Sequence, residues 1–104
     1  MDVIGVKETE EVVTLTFDMS AGLGTGETLT GVPVVTIRAY SGGVDRSASS
    51  MLNGSPNYDS TLTTCLVSIQ GGKAGYTYKL KAETPTTVGG KVLALSTLLK
   101  IASV

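Results

Sequence analysis

Four segments of the chain alternate apolar and polar residues with a period of two. In "VVTLTF", Val13, Leu15 and Phe17 point one way, and Val12, Thr14 and Thr16 point the other. "TLTTCLVSIQ" places Cys65, Val67 and Ile69 on one face. Beyond a glycine cluster, Tyr76, Tyr78, Leu80 and Ala82 share a face, while Thr77, Lys79 and Lys81 share the other. "ETLTGVPVVTIRAY" contributes Val35, Ile37 and Ala39, with Pro33 at a strand start or edge because proline donates no ladder hydrogen bond. A helix does not produce this periodicity. The pattern predicts strands whose core residues are Val13, Leu15, Phe17, Ile37, Val67, Ile69, Tyr78 and Leu80.

The remaining segments are less regular. Val3 to Val6 reads as a short strand or an ordered tail before the charged cluster Lys7 to Glu11, so residues 1–10 are a candidate extended N-terminal arm. Asp18 to Gly26 is a glycine-rich connection. Ser41 to Ser60 is a long polar loop with little apolar surface to bury, which predicts a segment that is mobile until a partner orders it. The tail "KVLALSTLLKIASV" fits a helix as well as a strand. Its odd positions Leu93, Leu95, Leu99 and Ile101 are apolar, and Gly89-Gly90 before it resembles a hairpin turn, which favours a strand. Its even positions Val92, Ala94 and Leu98 then face outward.

A chain of 104 residues has room for one core, and turns at short intervals between five or more strands predict a β-sandwich over residues 1–104. Charged residues make up only 16 %, with aromatics at 5 %, so part of the surface is expected to be covered by a partner. The net charge of -1 gives no footprint for nucleic acid or an acidic membrane. No apolar run approaches a membrane span, and the start carries no secretory pattern, so synthesis in the cytoplasm is expected. A single cysteine forms no internal disulfide, and without histidine neither a zinc site nor a Ser-His or Cys-His nucleophile can be assembled in the usual way.

"SIQGGKAGYTYKL" resembles the corner of immunoglobulin-like sandwiches, where a small-residue turn precedes a tyrosine whose hydroxyl ties the strand to nearby backbone. Either Tyr76 or Tyr78 fits that place, and Gly71, Gly72 and Gly75 supply the positive φ values a tight connection needs. The chain is also similar to a family of small proteins encoded by tailed bacteriophages. Its members carry an Asp-Trp-Ser turn, then Leu, a Gly-Asp-x-Ile step, a GG-x-x-G-x-x-Y hairpin and an apolar C-terminal strand. The matching residues are Phe17, Asp18, Met19, Ser20, Leu23, Gly26, Glu27 and Leu29, then Gly71, Gly72, Gly75 and Tyr78, then Leu99 to Val104. Met19 stands in place of the tryptophan, and Thr9 where a proline often follows the Lys-acidic pair. Methionine fills an aromatic slot adaptably. The resemblance implies an all-β, immunoglobulin-like antiparallel β-sandwich that serves in the virion.

Candidate chemistry is thin. "AGLGTGET" departs from a phosphate-binding loop: Ala21 stands where the first glycine belongs and Glu27 where the lysine belongs, and a carboxylate repels phosphate. Asp18, Glu27, Asp45 and Asp59 have no metal-loop spacing, and Asp18 with Ser20 reads as a turn cap. Cys65 sits at an inward position as a small hydrophobe. No catalytic, cofactor-binding or metal residue is therefore expected. Two function classes remain: a structural component of a phage particle (head decoration, neck, tail or fibre) acting as a homo-oligomer or on other virion proteins, and a receptor- or glycan-binding module using the 41–60 loop. Val92, Leu98, Tyr40 and Tyr58 are the candidate interface residues.

Overall fold

The computed structural model describes residues 3–102. Seven strands follow one another: β1 (Val3–Lys7), β2 (Val13–Asp18), β3 (Val34–Ser41), β4 (Asn57–Tyr58), β5 (Thr64–Ile69), β6 (Thr77–Pro85) and β7 (Val92–Ile101). Two short 3-10 turns, Ser20–Gly22 and Ala48–Met51, lie between them. They form a four-stranded sheet in the order β1-β7-β6-β3 and a three-stranded sheet in the order β2-β5-β4. Lettered in chain order, the smaller sheet has the B-E-D order of an immunoglobulin sandwich, and β3, β6 and β7 have its C-F-G order.

The alternating segments meet across the gap between the sheets. Leu15, Phe17, Cys65, Val67 and Ile69 from one sheet pack with Tyr78, Leu80, Ala82, Leu99 and Ile101 from the other. Of the predicted core, Val13 and Ile37 are half-buried, Val13 at the start of the edge strand β2 and Ile37 on the edge strand β3. Met19 is buried and closes one end of the core, its N–H donating to the carbonyl of Thr63 at 3.0 Å. The tail forms a strand over Val92–Ile101, paired with β6 in unbroken register from Thr77↔Lys100 to Pro85↔Val92.

Three expectations need correction. The sandwich is not wholly antiparallel, because β1 pairs parallel to β7. The chain crosses to the other sheet between β1 and β2, so no hairpin joins them, and β1 instead takes the free side of β7. Lys7, at the end of β1, is buried and donates to the carbonyls of Glu8 at 2.6 Å and Gly71 at 2.8 Å. Burial pushes its amine pKa down, opposed by Glu11 and Glu10.

Residues 41–60 are built into the fold. Ala48 and Met51 are buried, Gln70 N–H donates to the Met51 carbonyl at 2.8 Å, and β4 pairs with β5. Asp45 accepts from the Tyr78 hydroxyl at 2.6 Å. Two apolar anchors and one carboxylate suffice where the surrounding Ser, Gly and Asn contribute little.

Leu98 is buried at 5 % exposure, not outward-facing in the sense of solvent-accessible. It lies on the face expected of an even position, opposite Lys79, but the β1 strand beginning at Val3 pairs beside it. Leu95, assigned to the core, is instead 40 % exposed.

Candidate functional site

The four carboxylates that invited a chemical role are all bound into turns. Asp18 accepts from the N–H of Ser20 at 2.9 Å. Asp59 accepts from the N–H groups of Thr63 and Thr64 at 3.0 and 3.1 Å and from the Thr61 hydroxyl at 2.6 Å. Asp45 accepts from Ser47 and Tyr78. Glu27 accepts from the Gly24 N–H at 2.7 Å, the Thr86 hydroxyl at 2.6 Å and the Lys91 ammonium at 2.9 Å. These bonds favour the ionised form, so each pKa falls below the ordinary carboxylate value, that of Glu27 to about 2. Glu27 thus fastens the 24–30 connection to the β6–β7 hairpin, with the Thr28–Thr87 and Thr30–Pro85 backbone bonds beside it.

Among the described residues, no three acidic, cysteine or histidine side chains gather as metal ligands. Cys65 is fully buried, and burial pushes its thiol pKa up, away from nucleophilic character. No helix among the described residues is long and apolar enough to cross a membrane.

What the fold leaves exposed is surface for contact. Tyr40 and Val92 are 60 % and 56 % exposed. Tyr58 is half-buried against the core, and its hydroxyl donates to the Thr30 carbonyl at 2.9 Å. Leu98 is covered by its own chain. The four candidate interface residues therefore do not form one patch: Tyr40 lies next to the end of β3, whereas Val92 begins β7 at the other end of the sheet.

Two other surfaces stand out. On the outer face of the four-stranded sheet, register places Arg38 opposite Lys79 and Thr36 opposite Lys81. Lys100, opposite Thr77, belongs to the same face. Half of the chain's eight cationic side chains thus share one face with a single carboxylate among the described residues, Glu83, which lies 4.0 Å from Lys81. A shallow groove of about 350 Å³ runs between Arg38, Thr36, Lys79, Lys81 and Glu83. The outer face of the smaller sheet carries Thr14, Thr16, Asp18, Leu66 and Ser68, with no cation among its described strand residues. The Lys79 and Lys81 half of this face was visible in the alternation of β6; Arg38 joined it only through the β3–β6 register.

The second surface lies where β1 ends. β1 has register partners only from Leu98 to Ile101, which leaves the first half of β7 without a neighbour on that side among the described residues. Beside it, Asp18, Met19, Ala21, Gly22, Leu93, Ala94 and Leu95 line a mostly apolar gap of about 110 Å³ with one carboxylate at its margin. The sequence carried one signal for this, the mismatch between a short N-terminal apolar run and a long C-terminal one.

Comparison with known proteins agrees with a contact role. No curated protein matches the chain. A family model, described as podophage GP4 fiber-tail adaptor protein gp77, matches residues 7–100, which takes in β2 to β6 and nearly all of β7. The chain belongs to that family of podophage adaptors and is a structural protein of the phage tail, carried in the virion.

Proposed function

We propose that this chain is a non-enzymatic connector that joins fibre to tail through its surfaces, with the outer face of the four-stranded sheet as its contact for an acidic patch on another virion protein. The observation that carries this reading is the segregation of cations: Arg38, Lys79, Lys81 and Lys100 gather on one face, while the opposite face of the sandwich has no cation among the described strand residues and carries Asp18. Such a face speeds and orients encounter with a complementary surface, and its effect weakens with salt. The carboxylates support the non-enzymatic part, since each of the four is held in place by turn hydrogen bonds.

A receptor- or glycan-binding role for residues 41–60 loses its aromatic platform. Tyr58 is turned inward onto Thr30, which leaves Tyr40 alone.

The test is a paired Lys79→Glu and Lys81→Glu variant, whose residues are on the sheet surface and leave the core untouched. Phage particles assembled with it should lose this protein and their fibres, and binding of the wild type to purified tails should fall as salt rises. Normal incorporation of the double variant would remove the basic face from the contact.

A further inference from the structure

We infer that the basic outer face of the four-stranded sheet receives the acidic β1–β2 turn of a second copy of this chain. The inference rests on the connector reading above and deepens it, by naming a neighbouring copy as the bearer of the acidic patch.

The argument from charge starts with the carboxylates that are already engaged. Asp18, Glu27, Asp45 and Asp59 are held in turns, and Glu83 lies beside Lys81 in the groove of the basic face. Glu8, Glu10 and Glu11 are left among the described residues. All three are exposed, all lie on the turn between β1 and β2, and none forms an ion pair with a described residue. Arg38, Lys79 and Lys100 likewise have no ion-pair partner among the described residues. One molecule thus carries two exposed, oppositely charged surfaces, and each is complementary to the other.

The turn is fixed in shape before it meets a partner. Glu11 N–H donates to the Glu8 carbonyl at 3.2 Å, and Glu8 N–H donates to Glu11 Oε1 at 2.7 Å. Glu10 accepts from the Thr9 hydroxyl at 2.9 Å. Beneath them the buried Lys7 ammonium donates to the carbonyls of Glu8, Thr9 and Gly71 at 2.6, 3.4 and 2.8 Å. That cation fastens the turn to the connection before β6, so docking costs little further ordering. Three carboxylates against one ammonium keep the turn net negative.

The turn cannot serve its own copy. It leaves the β1 edge of the sheet, where Lys7 pairs with Ile101, and leads to β2 in the other sheet, away from the outer face. The groove between Arg38, Lys79 and Lys81 lies over β6 and β3, beyond β7. At about 4.8 Å between strands, that is about 12 Å from β1. Two basic faces would repel each other, so the contact joins unlike surfaces. Exposed Val12 beside the turn, and exposed Val34 and Tyr40 at the rim of the basic face, add apolar area that surface ion pairs alone would lack. With a net charge of -1, the copies do not repel as wholes.

Light scattering on the isolated chain, over a concentration series at low and high salt, tests this. The wild type should associate at low salt and come apart as salt rises. Lys79→Glu with Lys81→Glu reverses the face, and Glu8→Lys with Glu10→Lys reverses the turn. Each double variant alone should associate about tenfold more weakly or worse. An equimolar mixture of the two should associate again, because each supplies the surface that the other has reversed. Should a reversed variant fail to fold by circular dichroism, Glu8→Gln with Glu10→Gln and Lys79→Gln with Lys81→Gln should each show the same loss.

A wild type that stays monomeric at every concentration overturns the inference, and the connector reading stands if that chain still binds purified tails. Association that survives both reversals, or folded variants whose mixture stays apart, puts the contact on another surface and overturns the inference as well. A wild-type chain that neither associates nor binds tails overturns both readings.

Discussion

The hydroxyl of Tyr78 donates to Asp45 Oδ2 at 2.6 Å and accepts from the N–H of Lys73 at 3.0 Å. One buried phenol thereby ties the start of β6 both to the glycine connection before it and to the segment that leaves β3. Burial and the Asp45 carboxylate push its pKa up to about 12. Of the two tyrosines placed at this corner, Tyr78 makes the backbone bond; Tyr76 stacks on it with ring centroids 6.0 Å apart.

Tyr78→Phe keeps the ring and removes both bonds. A lost buried hydrogen bond to a charged partner costs about 1.5–3 kcal/mol, so the denaturant midpoint should fall accordingly. Limited proteolysis should then nick the 41–60 segment sooner than in the wild type. An unchanged midpoint would mean that the corner contributes nothing to stability. In the wild type, the unfolded phenol ionises near its ordinary value while the folded one holds its proton to about 12. Stability is therefore fully present below about pH 10 and falls as pH rises toward 12.

Acid works through the opposite sign. Glu27 has a folded pKa of about 2 against an ordinary value of 4.5, so its contribution is present above 4.5 and is lost as pH falls toward 2. Asp18, Asp45 and Asp59 are shifted the same way. With no histidine in the chain, stability should be flat with pH around neutrality and then fall steeply in acid. Glu27→Gln should be less stable at neutral pH and show a shallower acid decline. A variant whose decline matches the wild type would take Glu27 out of the account.

Gly72 combines a φ of +99 with no room for a side chain. A Cβ there would stand 2.9 Å from Ile101 Cδ1 and 3.2 Å from Met51 Cε. Gly72→Ala should cost more than about 1 kcal/mol, since strain and crowding add. Gly71→Ala meets nothing within 4 Å at a φ of +65 and should cost less. Thermal melts of the two variants separate the packing effect from the backbone effect.

Thr84 is buried, and its hydroxyl has no hydrogen-bond partner among the described residues. An unsatisfied buried polar group costs about 1–3 kcal/mol. Thr84→Val keeps the shape and β-branching, so it should raise the melting temperature. A lower melting temperature would show that the hydroxyl has a partner in solution.

How far the sequence could be read follows from which signals are local. β2, β5 and β6 were legible because each has one buried and one solvated face, and the period of two survives in the residue order. The 41–60 segment was not, since its anchors are Ala48, Met51 and an Asp45 whose partner lies 33 residues away. The parallel seat of β1 leaves no alternation signal at all. β7 misled in another way: both of its faces are apolar, so periodicity assigned Leu95 to the interior and Leu98 to the surface. Burial on that strand is decided by where β1 stops, which is a tertiary fact. The outer basic face was half legible, through Lys79 and Lys81, and the open edge of β7 was not.

The seat of β1 also sets the order of events during synthesis. Its partner in the sheet is the last of the seven strands in chain order, so the four-stranded sheet cannot close before β7 has been made. The first strand must wait through nearly the whole chain, and pairings so distant in sequence are slow to form. Until β1 docks, the side of β7 that it covers stays open to other chains made at the same time.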